Sequence, residues 1–400
     1  MKNFLRLIQR LQSKLTTKLI PYHAPKETQD AQHQDTRTRA STQPGLAGEA
    51  LLLSSQLKGQ NFHLPDLCKD FESWPSATSK HAEQLEALVN TMLERIITNE
   101  KKLRALKRAN FGRLMSLWYP DSDWEELKVA TAYSVWIFVW DDEVDAGDTD
   151  VSNDEEKARA YYKKSLGCVH RLLGLGEEVA EDQIPQNMEL FADVGRGVRD
   201  TTDVEQRQRF FRELENFMLQ VGIEHGHRMR GSIPTTEKYL EIRSGSVGCG
   251  PQIALTDYML KIRLPEPLME CEAMKALWKE TIIICLILND VFSVQKEIAQ
   301  NSYFNLVPVM FRNCDPKEQS LDTVTHELEV ALRGSMRNFE EAAASLVDMT
   351  SSDAQVNEKI QDYIKWCRYF TTGVLLWSLE SRRYGMADCR NEDGSLDIVL

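Results

Sequence analysis

The sequence is poor in several features that would each point to a class of function. It has no surplus of basic charge: 48 lysine and arginine residues stand against 61 aspartate and glutamate residues in 400 positions, a net charge of −13. An acidic surface argues against a general binder of phosphate backbones, so no nucleic-acid partner is expected. Long apolar runs are missing as well. The longest, residues 281–288, still contains Thr281 and Cys285 and falls far short of the roughly 20 residues that span a bilayer. Eight cysteines are scattered without a Cys-x-x-Cys pair, which disfavours a zinc ribbon or a disulfide framework. A reducing, cytoplasmic setting is therefore the expectation. What the chain does have is a globular composition, 42% hydrophobic and 27% charged, enough to bury a large core.

The first segment stands apart. Lys2, Arg6, Arg10, Lys14 and Lys18 recur every four residues, and no acidic residue occurs before Glu27. Phe4, Leu5, Ile8, Leu11, Leu15 and Leu19 fill the other side of that helical projection. A frayed terminus is the plainer reading of this pattern, and a membrane-surface contact or a targeting segment through residues 1–20 is the alternative. From Ala24 to about Gln60 the composition turns polar, which reads as a linker that cannot bury enough apolar surface to order itself. Residues 1–60 are accordingly expected to be an extension, and 61–400 a single domain.

Beyond Pro65 the periodicity is helical almost throughout, so the fold class is all-α. Helices are predicted at 80–109, 123–142, 154–173, 205–229, 236–260 with a break near Pro251, 273–299, 326–346 and 358–384. Turn residues such as Tyr119-Pro120-Asp121 and Pro265-Glu266-Pro267 separate them.

Two stretches carry chemistry. An aromatic helix, Trp136 to Trp140, runs into Asp141-Asp142-Glu143-Val144-Asp145, four carboxylates in five residues. Such charges repel one another, and the apolar approach suggests that a cation neutralises them. Asp141 and Asp145 lie one turn apart, about 6 Å along the axis, and can converge on a hard ion such as Mg²⁺. Taken alone, the cluster is also readable as a solvated helix end. The second stretch follows the apolar run. Asn289, Ser293 and Glu297 are spaced four and four, placing three oxygen donors in a row on one helix face, with Lys296 close beside. Since the preceding two turns are apolar all round, this row is expected to be buried rather than solvated. Two oxygen-rich faces on separate helices would share a strongly anionic ligand such as a diphosphate.

With these motifs the chain resembles the class I terpene cyclases of the microbial, fungal type. Asp141 to Asp145 is similar to that family's aspartate-rich motif, and Asn289, Ser293 and Glu297 match its asparagine-serine-glutamate triad in full. Arg243, 46 residues before Asn289, falls where the family carries a diphosphate-sensing arginine, and Arg383-Tyr384 matches its C-terminal Arg-Tyr pair. The likeness covers roughly residues 60–385. Ser116 to Asp121 and Arg243 to Gly248 are most similar to fungal sesquiterpene cyclases of the presilphiperfolanol-synthase type.

The resemblance implies a single class I helical bundle around a central active-site cavity. It implies three Mg²⁺ ions, with Mn²⁺ as a substitute, held by Asp141, Asp145, Asn289, Ser293 and Glu297. Arg243, Lys296, Arg383 and Tyr384 would bind and ionise a prenyl diphosphate, most simply farnesyl diphosphate, and diphosphate would be released. Phe138 and Trp377 are candidates for the aromatic wall that shields the carbocation, or else plain core. The protein would act as a monomer or homodimer. A chain-elongating prenyltransferase is the nearest alternative, though its usual second aspartate-rich motif is replaced here by the Asn289 row. A non-catalytic helical interaction protein is the other. Protonation-initiated cyclisation is disfavoured, because no Asp-x-Asp-Asp motif occurs. Two weaker signals are set aside: His225-Gly226-His227 lacks a third ligand or a His-Glu-x-x-His pattern, and the glycine-rich stretch 245–250 follows no strand and precedes no Gly-Lys-Ser/Thr.

Overall fold

The computed structural model describes residues 48–145, 149–178 and 180–400, with Asp145 and Glu181 described by backbone alone. The basic stripe at 2–18 and the polar tract up to residue 47 lie outside the described residues. In chain order the main elements are α1 (Gly48–Leu57), β1 (Asn61–Leu64), α2 (Ala82–Ile96), α3 (Glu100–Arg108), α4 (Phe111–Trp118), α5 (Trp124–Asp145) and α6 (Glu155–Leu172). They continue with α7 (Glu189–Thr201), α8 (Val204–Arg230), α9 (Thr236–Ser246), α10 (Cys249–Ala254), α11 (Glu272–Ala299) and α12 (Leu306–Asn313). The series closes with α13 (Leu321–Met349), α14 (Ala354–Glu380) and β2 (Leu396–Val399). Among the described residues no helix is long and apolar enough to cross a membrane.

Local chemistry sets the helix ends. Asp154 caps α6 by accepting from the Glu156 and Lys157 amides, and Asp203 with Gln206 forms a reciprocal capping box at the start of α8. At its other end α8 stops at Gly231, whose φ of +58° only glycine adopts without strain. The organising helix is α11. From Ile283 to Leu288 it is buried on every side, so other helices must surround it. Helices α10, α12, α13 and α14 pack against it, α8 packs against α9 and α10, and α5 against α2, α4 and α7. This arrangement sends the polar second half of α11 into the bundle rather than to its outside.

Three details differ from the sequence reading. Packed structure occurs before residue 61: Ala50, Leu53 and Leu57 form a buried stripe on α1, and Arg312 holds Glu49 from α12. Helical spacing of only three apolar residues is too brief to register in a polar tract, and packing supplies the rest. The single helix predicted over 80–109 is two, because Asn99 accepts from the Lys102 amide and caps a new start. The break in 236–260 falls at Val247–Gly248, where Gly248 has φ +76°, and not at Pro251. Pro251 sits instead in the first turn of α10, where an amide hydrogen has no intrahelical partner to lose.

A small sheet accompanies the bundle. Strands β1 and β2 pair antiparallel with Phe62 opposite Ile398 and Leu64 opposite Leu396, all four buried. The Gly59 amide donates to the Leu400 carbonyl at 2.6 Å, and the Leu400 amide to Gln60 at 2.9 Å, so the two ends of the described domain are fastened together.

Candidate active site

The polar row on α11 is held from several sides. Ser293 is buried, while Asn289 and Glu297 are half-buried. Asn305, the N-cap of α12, places its side-chain amide 3.0 Å from Glu297 Oε2, 3.3 Å from Ser293 Oγ and 2.9 Å from the Asp290 carbonyl. Burial pushes the Glu297 carboxyl up, the charge of Asp290 adds to this, and Arg243 works against it. Such a row is electrostatically incomplete and favours a cation.

Arg243, on the last turn of α9, faces this row. It donates from Nη2 to Asn289 Oδ1 at 2.6 Å and from Nε to Asp290 Oδ1 at 3.1 Å, and its Nη1 stands 3.9 Å from Glu224 Oε2 on α8. Asp290 is 1% exposed and also accepts from the Tyr239 hydroxyl and from the Leu306 amide at 3.0 Å. Burial raises its carboxyl, while the guanidinium of Arg243 pulls it back. Conversely, burial opposes the charge on Arg243 and the carboxylates of Asp290 and Glu224 hold it protonated.

The aspartate-rich end of α5 is joined to this cluster by two consecutive residues of the segment after α14. Arg383 Nη2 lies 3.4 Å from Asp142 Oδ1, and the Tyr384 hydroxyl accepts from Asn289 Nδ2 at 3.1 Å. Arg383 and Tyr384 thus tie the acidic row of α5 to the amide-hydroxyl-carboxylate row of α11. Asp141 is half-buried beside Asp142, and Glu143 turns toward Lys102 at 3.5 Å. The side chain of Asp145 lies outside the described residues. Lys296 is half-buried on α11, next to Glu297.

The residues present fit a hard divalent cation and an anion between the rows. Amide, hydroxyl and carboxylate oxygens are the donors such ions take. Buried Arg383 Nε has no hydrogen-bond partner among the described residues, an orphan donor that an anion would satisfy. Among the described residues no group of three or more His, Cys, Asp and Glu side chains stands close enough together to hold a metal unaided.

An aromatic wall stands behind Arg383. Its guanidinium sits 5.5 Å above the ring of Phe138, which stacks on Phe111 at 4.6 Å and lies 6.2 Å from Trp377. Phe138 is half-buried and one turn before Asp142. Trp377 is 3% exposed, and its indole N–H is committed to the Ala109 carbonyl at 2.8 Å, so it backs Phe138 and Tyr384 from behind. His225 is fixed by the Ser152 carbonyl and His227 by the Ser232 hydroxyl, both at 2.9 Å, as expected of residues set aside from the sequence. A groove of about 300 Å³ lined by Leu88, Met92, Arg95, Val129 and Asp193 opens elsewhere and contains none of these groups.

Sequence reasoning missed Asp290, Tyr239, Glu224 and Asn305, which hold the candidate residues in place. Tyr239 one turn before Arg243 was the available signal, since i and i+4 share a face. Asn305 and Glu224 carry none: Asn305 meets Glu297 and Ser293 only after the chain turns from α11 into α12, and Glu224 meets Ser246 and Arg243 only once α8 packs on α9.

Residues 132–334 match the family described as terpene synthase family 2, C-terminal metal binding. The chain is similar to the sesquiterpene cyclase hepA of Aspergillus oryzae, at 26% identity over 87% of this chain and 96% of that protein. Terpene cyclase braA of Annulohypoxylon truncatum is 26% identical over 84% of this chain and 89% of its own length. In fold, the crystal structure of linalool/nerolidol synthase from Streptomyces clavuligerus superposes with a TM-score of 0.64 at 17% identity, covering 76% of this chain and 98% of that one.

Proposed function

The chain belongs to terpene synthase family 2 and is a class I terpene cyclase of the fungal sesquiterpene type, and from this we propose that it ionises farnesyl diphosphate with Mg²⁺ and cyclises the resulting cation. The observation that carries the reading is the reach of Arg383 and Tyr384 to Asp142 on α5 and Asn289 on α11. Family membership supports a metal cofactor. Its identity as Mg²⁺, three ions in number, and the ligands Asp141, Asp145, Asn289, Ser293 and Glu297 are part of the proposal.

The chemistry bound Mg²⁺ supplies is Lewis-acid stabilisation of charge on the departing diphosphate. The chain's own residues do the remainder. Arg243 and Arg383 are forked donors matched to phosphate oxygens, and Lys296 and the Tyr384 hydroxyl add single contacts. Arg243 occupies Asn289 Oδ1 in this structure, so an anion that draws it away frees that oxygen for a cation. Diphosphate and metal should therefore bind together. No protein nucleophile is required, because preorganised cationic donors let the allylic C–O bond break. The Phe138 ring face shields the cation from water, and diphosphate stays with the arginines until product leaves. A cytoplasmic monomer or homodimer completes the reading.

The test is product analysis by gas chromatography and mass spectrometry after incubation with C10, C15 and C20 prenyl diphosphates and Mg²⁺. A cyclic C15 hydrocarbon or alcohol supports the proposal. Consumption of substrate only when isopentenyl diphosphate is added would overturn it in favour of chain elongation.

A further inference from the structure

One half-buried acid has no part in the scheme above. Glu213 lies on α8, eleven residues before Glu224, or three helical turns and about 16 Å along the axis on the same face. At one end of that face Glu224 accepts from Ser246 and approaches Arg243. Between them, a Cβ on Gly248 would meet the ring of Phe217 at 3.5 Å and Ile137 of α5 at 3.7 Å. At the other end the Glu213 carboxylate is pressed against the backbone of α10: a Cβ on Gly250 would lie 2.4 Å from Glu213 Oε2. Glycine at 250 is what lets the acid sit there.

Its surroundings are unusual for a carboxylate. Glu213 forms no hydrogen bond or ion pair to any described residue, yet it is only half-buried, and burial pushes its carboxyl up to about 7. The hydroxyl of Tyr133 on α5 is fully buried and has no hydrogen-bond partner among the described residues. Its ionisation is opposed by burial first and then by Tyr119, Cys249 and Glu213, so these polar groups converge at one place. Nearby, Gln252 donates to Tyr119. An acid walled in by protein, without a partner and still accessible, borders an interior space. As a structural element it is costly, because an apolar side chain there would need no compensation.

We propose that Glu213 is a catalytic residue, the proton acceptor that ends cyclisation in the space it borders, remote from the diphosphate. This rests on the cyclase reading. In the step, a C–H bond adjacent to the final cationic carbon breaks, its electron pair becomes the new C=C bond, and the proton passes to Glu213 Oε2. The neutral acid returns that proton to solvent after the hydrocarbon leaves. Ionisation takes place three turns away and does not involve this group.

The experiment compares wild type, Glu213→Gln and Glu213→Asp by product profile and by rate of diphosphate release with farnesyl diphosphate and Mg²⁺. Gln keeps shape without basicity, and Asp keeps basicity with a shorter reach. Product shares are read per diphosphate released, so that any change in turnover is divided out of the comparison. The principal wild-type product should fall about tenfold or more in share with Gln, replaced by isomers or alcohols quenched elsewhere, and be largely restored with Asp. An unchanged profile in Glu213→Gln, or the same altered profile in Gln and Asp, overturns the proposal. Failure of the wild type to form any terpene removes the cyclase reading itself, and this proposal with it.

Discussion

Asp290 offers a sharp test of how the site is held, because one carboxylate supports three partners. Replacing it with Asn leaves the volume nearly unchanged but removes the charge and turns one acceptor oxygen into a donor. That new N–H₂ must face either Arg243 Nε, now 3.1 Å away, or the Tyr239 hydroxyl and Leu306 amide. All of these are donors toward Asp290, so one contact becomes repulsive. Arg243 is then left with Glu224 at 3.9 Å as its nearest charged partner. Breaking a buried ion pair from one side costs about 3–5 kcal/mol, which already includes the unsatisfied donor. For a domain of roughly 350 residues the unfolding entropy converts this to a fall in melting temperature of about 4–7 °C. The assay is urea unfolding and calorimetry of Asp290→Asn, Arg243→Gln and the double variant. The double variant should be more stable than the sum of the singles by about 2 kcal/mol, since the second change removes the stranded charge. A loss below about 1 kcal/mol in Asp290→Asn, or strict additivity, would refute the reasoning.

Three further outcomes are expected. Mg²⁺ and inorganic diphosphate together should raise the melting temperature of the wild type by about 4 °C at a hundredfold excess over Kd, from about 2.7 kcal/mol of linkage; neither alone should do so, and an undiminished joint shift in Asn289→Ala would contradict the ligand assignment. Glu213 has a folded pKa of about 7 above its ordinary 4.5, so its contribution is fully favourable below pH 4.5 and is lost as pH rises through 7. Glu213→Gln should therefore gain up to roughly 3 kcal/mol over wild type at pH 8 and nothing at pH 4, measured by urea unfolding, with equal differences at both pH values counting against it. Asn305→Ala removes the α12 cap to the Val307 amide at 2.9 Å and the amide contacts to Ser293 and Glu297, and should cost about 2 kcal/mol; a cost under about 0.5 kcal/mol would show that water replaces it.

The sequence displayed the α11 row because three unlike oxygen donors at four-residue spacing followed an apolar run, and burial on one side fixes which way such a row points. The all-α class was legible for the same reason, as periodicity over 20 or more residues leaves little choice of element. The residues that hold the row were not. Asp290 looks like one more acid beside Asn289 until α9 brings Tyr239 and Arg243 against it, a contact between segments some 50 residues apart. Glu213 is one of several glutamates along α8, and only the glycine opposite it distinguishes it. Helix α1 depends on Gly231 and α12, and β1 on the strand at 396–399, partners far along the chain that local pattern does not encode.

The pairing of β1 with β2 has a consequence for how the arginine and tyrosine of the C-terminal segment are kept in register. They lie between α14, which ends at Glu380, and a strand that begins at Leu396. That stretch is therefore tethered from both directions, like a strap buckled at each end. Trimming residues 396–400 would delete no group assigned to the diphosphate, yet it would open the buckle and leave Arg383 and Tyr384 held from the α14 side alone, by the helix end and the turn at Met386–Cys389.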